Sequence, residues 1–286
     1  MAEPLKELFS DKPWASIILR LSEILLSSER MKKIYLLPNM VTTANLLSGF
    51  LSMTYSFKGE FAKAAWFIVI GAVCDSLDGR IARMARATSS FGIQYDSLSD
   101  LISFGTAPAI LLFSYALNQA DRVGVSVSAL YVICAALRLA RFNVSAEVPT
   151  PSMIKKIRKG YFQGLPSPAS AGLVVTAVLV QNEFKLLNES AAKYFLMVLG
   201  VVLGFLMVSD IPFPSFKEVN WRTKGKAWML FLPVGIILAA IQAPEITFFI
   251  IGYAYLIGAL GWATYLCLVR DKMQDKMQNK NGGAVL

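Results

Sequence analysis

The sequence predicts an all-α integral membrane protein, and three observations predict it. Hydrophobic residues make up 55% of the 286 residues and charged residues only 16%, against about 25% charged in an ordinary soluble domain. Mean hydropathy is +0.53. The apolar residues gather into windows of roughly 20 residues nearly free of charge, the length a helix needs to cross a bilayer core.

Residues 1–36 come first. Trp14, Ile17, Ile18, Leu21, Ile24 and Leu25 recur at helical spacing, with Lys12, Arg20, Glu23 and Glu29 between them. That pattern fits an amphipathic helix lying at the interface. The start is acidic and no small-residue cleavage site follows an apolar core, which argues against a signal peptide. Met31-Lys32-Lys33, directly before the first span, looks like a start of its own. Eight spans are then expected, at about 41–58, 62–82, 97–118, 124–142, 165–182, 192–209, 226–242 and 246–268, with Pro149, Pro151, Pro212, Pro214 and Pro244 breaking the loops between them. A polar tail, 271–286, closes the chain.

Orientation follows from Lys and Arg. They crowd before the first span, between the second and third, between the fourth and fifth, between the sixth and seventh, and in the tail. The opposite loops carry only Lys58, Lys63, Arg122, Lys185 and Lys193. The positive-inside rule therefore puts both termini in the cytoplasm, in agreement with an even number of spans. The net charge of +9 sits in these loops, so it argues for a membrane and for anionic lipid or phosphate, not for nucleic acid.

The chain has no histidine. That excludes Ser-His-Asp and Cys-His relays, phosphohistidine and His-ligated zinc. Cys74, Cys134 and Cys267 lie inside apolar stretches without CxxC spacing and read as small buried hydrophobes. Chemistry is left to carboxylates, Lys, Arg, hydroxyls and metal ions.

The carboxylates are where chemistry concentrates. Asp75 and Asp78 stand at i, i+3 near the end of the second span, and Gly92, Asp96 and Asp100 at i, i+4, i+8 where the third begins. Each set shares one helix face. An Asp inside a span costs about 2.5–3.5 kcal/mol on insertion scales, and four close together repel. Divalent cations remove both penalties. Carboxylate-only ligation favours Mg²⁺, Ca²⁺ or Mn²⁺ over zinc, and four Asp suffice for two bridged ions of the kind used in phosphoryl chemistry. Gly79 and Gly92 leave bare helix surface for a bulky ligand, and Arg83 can pair with phosphate. An ion pathway is the competing reading, although ion-path carboxylates tend to sit near the midplane and these lie near the cytoplasmic ends.

The string Asp75-x2-Asp78-Gly79-x2-Ala82-Arg83-x8-Gly92-x3-Asp96-x3-Asp100 resembles the full signature of the CDP-alcohol phosphatidyltransferase family. The resemblance implies a six-helix transmembrane core over 37–210, two additional transmembrane helices over 211–270 and a homodimer. It implies that Asp75 and Asp96 touch two divalent cations, Mg²⁺ or Mn²⁺, with Asp78 on the first and Asp100 on the second. Asp100 would also be the general base. Gly79, Arg83, Ser89 and Gly92 would hold the CDP moiety, joined by Asn39, Thr42 and Thr43 from the Pro38-Asn39-Met40-Val41-Thr42-Thr43 stretch entering the first span. The substrate would be CDP-diacylglycerol, and the site would face the cytoplasm from the inner membrane.

Two further stretches bear on the acceptor alcohol. Arg138-Leu139-Ala140-Arg141-Phe142-Asn143 and Gly164-Leu165-Pro166-Ser167-Pro168 resemble segments of the serine-using branch of that family. Arg138, Arg141 and Asn143 would then meet L-serine, two guanidiniums suiting its carboxylate. Sister enzymes taking glycerol phosphate, inositol phosphate or choline are the neighbouring alternative.

Overall fold

A computed structural model describes residues 39–84, 89–147, 161–214, 235–236 and 238–282. The expected amphipathic segment at 1–36 and most of the expected span at 226–242 lie outside the described residues.

Among the described residues, seven long helices carry the fold. Helix α1 spans 39–57, α2 Phe61–Met84, α4 Asp121–Glu147, α5 Ser167–Phe184, α6 Glu189–Val208 and α7 Pro244–Gly282. Helix α3 is composite: α-helical over Ser90–Asp100, π-helical over Leu101–Thr106 and α-helical again over Ala107–Tyr115. Stretches within α3, α4, α6 and α7 are long and apolar enough to cross a membrane.

Helix α3 begins earlier than the hydropathy pattern predicts, at Ser90, because Ser89 caps it: the Ser89 Oγ accepts from the Gly92 N–H at 3.0 Å. Helix α7 ends later than predicted. It runs through the polar tail to Gly282, since Lys, Gln, Met and Asp tolerate a helix and no proline interrupts them.

Helix α5 is central, packed against α2, α6 and α7. Its Ala171, Val174 and Val178 are fully buried. Helices α1, α2 and α3 meet through small residues. A Cβ on Gly49 would lie 2.6 Å from the Ser103 Oγ and 2.9 Å from its Cα, and one on Gly71 would lie 3.0 Å from the Asn45 Oδ1. Close backbone approach of this kind lets membrane helices gain van der Waals contact and interhelical hydrogen bonds. Ser99 and Ser103 of α3 donate to the Thr42 and Asn45 carbonyls of α1 at 3.1 and 2.9 Å.

Among the described residues the all-α expectation has one local exception. Tyr161–Gln163 (β1) and Pro212–Pro214 (β2) form a two-stranded antiparallel ribbon. Gly164 beside it has φ +71°, and a Cβ there would fall 2.5 Å from the Met207 carbonyl oxygen, so only glycine fits. The Gly164 and Leu165 N–H groups donate to the Ile211 and Leu206 carbonyls at 3.0 Å each. The Gly164-Leu165-Pro166 segment therefore closes the end of α6.

Candidate active site

Helices α2 and α3 converge as their aspartate spacing predicts. Oxygen atoms of Asp75, Asp78 and Asp96 lie within 4.8 Å of one another. Two ligands on opposite sides of one hard cation stand at twice a metal–oxygen distance of about 2.0–2.6 Å, so this spacing suits a shared ion. Asp96 Oδ1 is buried and has no hydrogen-bond partner. Among the described residues no Lys or Arg forms a salt bridge with any of the four aspartates. An acceptor left bare among repelling carboxylates is what a cation would satisfy. The donor set therefore fits a divalent metal ion.

Helix α1 supplies the hydrogen bonds. Thr42 Oγ1 donates to Asp78 Oδ2 at 2.9 Å, and both side chains are buried. One turn on, Asn45 Nδ2 donates to Asp100 Oδ1 at 3.2 Å. Asp100 is not part of the 4.8 Å group, yet it lies in the electrostatic field of Asp75, Asp96 and Asp78. The π-helical stretch begins immediately after it. Such insertions are common at functional sites; here the stretch buries Ser103 against α1.

The expected nucleotide-binding residues fall around the same opening. Thr43 Oγ1 donates to the Asn39 carbonyl at 2.7 Å and shares a 2.9 Å hydrogen bond with the Tyr95 hydroxyl. Asn39 Oδ1 and the Ser89 Oγ flank the bare face of Gly92, 3.6 and 3.2 Å from where a Cβ would be. Gly79 is exposed, and a Cβ on it would meet no protein atom within 4 Å. The Ser89 hydroxyl already accepts the cap hydrogen bond. Arg83 belongs to α2, but its side chain lies outside the described residues.

The residues expected to bind the acceptor separate into three environments. Arg138 lies within electrostatic reach of Asp100; its Nη1 donates to the Ser167 Oγ at 2.8 Å, and its buried Nε has no partner. Arg141 sits elsewhere. Its guanidinium donates to the Val208 and Ser209 carbonyls at 2.9 and 3.2 Å and pairs with Asp210. This is a cation on the carbonyl end of a helix. Asn143 ties α4 to α3, accepting from the Ser97 Oγ at 3.1 Å and donating to the Gln94 Oε1 at 3.4 Å.

Sequence reasoning missed Asn45 and Ser167. Asn45 follows Thr42 by three residues inside a span. A polar amide inside an apolar span, one turn from a site residue, was the available signal.

The model of the CDP-alcohol phosphatidyltransferase family matches residues 35–206. A CDP-diacylglycerol–serine O-phosphatidyltransferase of Helicobacter pylori (strain ATCC 700392 / 26695) is 41% identical over 208 residues, 73% of this chain and 82% of its own. A protein of the same name from Methanocaldococcus jannaschii is 30% identical over 215 residues, 75% and 88% of the two chains. Another from Bacillus subtilis (strain 168) is 32% identical over 184 residues, 64% and 92%.

Proposed function

The chain belongs to the CDP-alcohol phosphatidyltransferase family, and from that premise we propose that it transfers the phosphatidyl group of CDP-diacylglycerol to the hydroxyl of L-serine, giving phosphatidylserine and CMP. The observation that carries this reading is the carboxylate group of Asp75, Asp78 and Asp96, with Asp100 held beside it by Asn45.

Asp75, Asp78 and Asp96 would hold divalent cations, two with the help of Asp100. Carboxylate-only donors favour Mg²⁺ or Mn²⁺. Bound there, the ions would supply positive charge to the pyrophosphate. The exposed Gly79 and the half-buried Gly92 leave room for the nucleotide, with Asn39, Thr42, Thr43, Ser89 and Arg83 around it. Asn45 fixes one oxygen of Asp100. Asp100 takes the proton of the serine hydroxyl, whose oxygen bonds to the phosphorus carrying diacylglycerol. The bond from that phosphorus to the CMP oxygen breaks, and CMP leaves with the electron pair. Arg138 meets the serine carboxylate, its unpaired Nε having a hydrogen bond to give. Arg141 and Asn143 support that wall from behind through the end of α6 and through α3.

Purified protein offered CDP-diacylglycerol with labelled serine, glycerol 3-phosphate or inositol phosphate tests the reading. Serine is expected to be consumed with equimolar CMP. Turnover of another alcohol in its place would overturn the acceptor assignment.

In the cell the protein lies in the inner membrane with both termini and the site cytoplasmic, a reading supported by the Lys and Arg asymmetry of the loops. An impermeant thiol reagent should leave a cysteine placed in the tail unlabelled in intact cells, and labelling there would reverse the orientation. A second copy of the chain packs against the apolar side chains that Leu98, Ile133 and Leu137 expose; a cysteine at Leu137 that forms no cross-link between copies would count against it.

A further inference from the structure

A second feature stands one helical turn from the aspartates. A cavity of about 330 Å³ lies between α2, α5 and α7. Its near end is Ala72, one turn before Asp75 on α2, together with Phe104, one turn beyond Asp100 on α3. Its far end is Phe248 and Glu245 in the first turns of α7. Along α5 it runs from Pro168 to Leu179, about 16 Å at 1.5 Å per residue, close to one leaflet of a core about 30 Å thick.

The lining is almost wholly apolar. Its one hydroxyl along α5, Thr176 Oγ1, donates back to the Gly172 and Leu173 carbonyls of its own helix, which leaves the methyl group for the groove. Gly172 lines the groove, and a Cβ on it would meet nothing within 4 Å. The space is thus kept open at a position where a side chain would fill it.

We propose that this groove takes one acyl chain of CDP-diacylglycerol, and that α7, which lies beyond the family-matched residues 35–206, makes the enzyme sensitive to chain length. The inference rests on the proposed use of CDP-diacylglycerol. The occupant follows from continuity: the reacting phosphate at the aspartates carries hydrocarbon chains, and the groove is the dry, leaflet-long space that opens beside them. The chain would leave lipid and not water, so its length would be read through van der Waals contact with the groove walls.

The test compares CDP-dibutyrylglycerol, whose chains stop short of Gly172, with CDP-dipalmitoylglycerol in mixed micelles, using the full chain and Gly172→Leu. The variant should raise KM for the long-chain substrate several-fold, because the new side chain occupies the space the chain needs, with kcat and KM for the short-chain substrate within about twofold. Equal effects on both substrates, or on neither, overturn the groove. A second measurement does not depend on the variant folding. CDP-diacylglycerol with a photoreactive group at the end of one chain should label wild-type α5 and α7 peptides around Gly172 and Phe248. Labelling confined to other helices, or labelling of this groove by chain-tagged phosphatidylcholine to the same extent, overturns the proposal while leaving the transferase reading intact. Absence of any labelling that unlabelled CDP-diacylglycerol competes away overturns both.

Discussion

Asp100 is held differently from the other three aspartates. It receives a hydrogen bond from Asn45 and stands outside the tight group of three, so it is less engaged with the shared ion and is the one suited to take a proton from an incoming alcohol. Asp100→Asn should therefore reduce kcat about 10²–10⁴-fold while CDP-diacylglycerol binding changes little; a variant retaining most of its turnover would remove Asp100 from the base role. The two arginines make a second contrast. Arg138→Ala should raise KM for serine about 10–100-fold, the value of a lost charge-assisted hydrogen bond. Arg141→Ala should instead lower Tm by loosening the end of α6, with KM for serine nearly unchanged. Steady-state kinetics and thermal unfolding in detergent separate the two. The aspartates were legible in the sequence because a carboxylate in an apolar helix is costly and demands a reason. Arg138 and Arg141 were not separable there: two basic residues three apart at a span end look alike until the carbonyls of a distant helix claim one of them.

At the scale of elements, the site depends on how closely α1 approaches α3. Gly49 faces backbone, with Ser103 Cα 2.9 Å from a Cβ placed on it, so Gly49→Ala must push the two helices apart. A cost of about 1–3 kcal/mol is expected for overpacking, with loss of activity because Asn45 and Asp100 ride on the same pair. Gly79 faces open space. Gly79→Ala should keep the wild-type Tm and weaken CDP-diacylglycerol binding. Equal destabilisation by both substitutions would contradict this division of roles. Most helices were predictable from apolar run length. The π-helical stretch of α3 was not, since nothing local in Leu101–Thr106 distinguishes it from α-helix. It accompanies the burial of Ser103 against Gly49. The β1–β2 ribbon escaped for a similar reason: three-residue strands carry no usable period, and only the positive φ of Gly164 marks the turn once the end of α6 is in place.

Over the whole molecule, the chain divides its labour by depth and by helix. Helices α1 to α3 build the polar cluster, α4 to α6 brace it through Arg138, Ser167 and Arg141, and α7 adds an apolar wall beyond the family-matched core. Membrane residence and the convergence of Asp75, Asp78 and Asp96 could be read from composition and spacing, because each reflects a large local energy. The packing of α7 on α5 could not, because apolar surfaces within a bilayer are nearly equivalent in sequence. The central claim is that the aspartates work through bound cations. It is tested most directly by assaying serine-dependent CMP release from protein stripped with a chelator, then titrated with Mg²⁺ or Mn²⁺. The account predicts no turnover in excess chelator and recovery as either ion is restored. Full turnover with the chelator still in excess would contradict it.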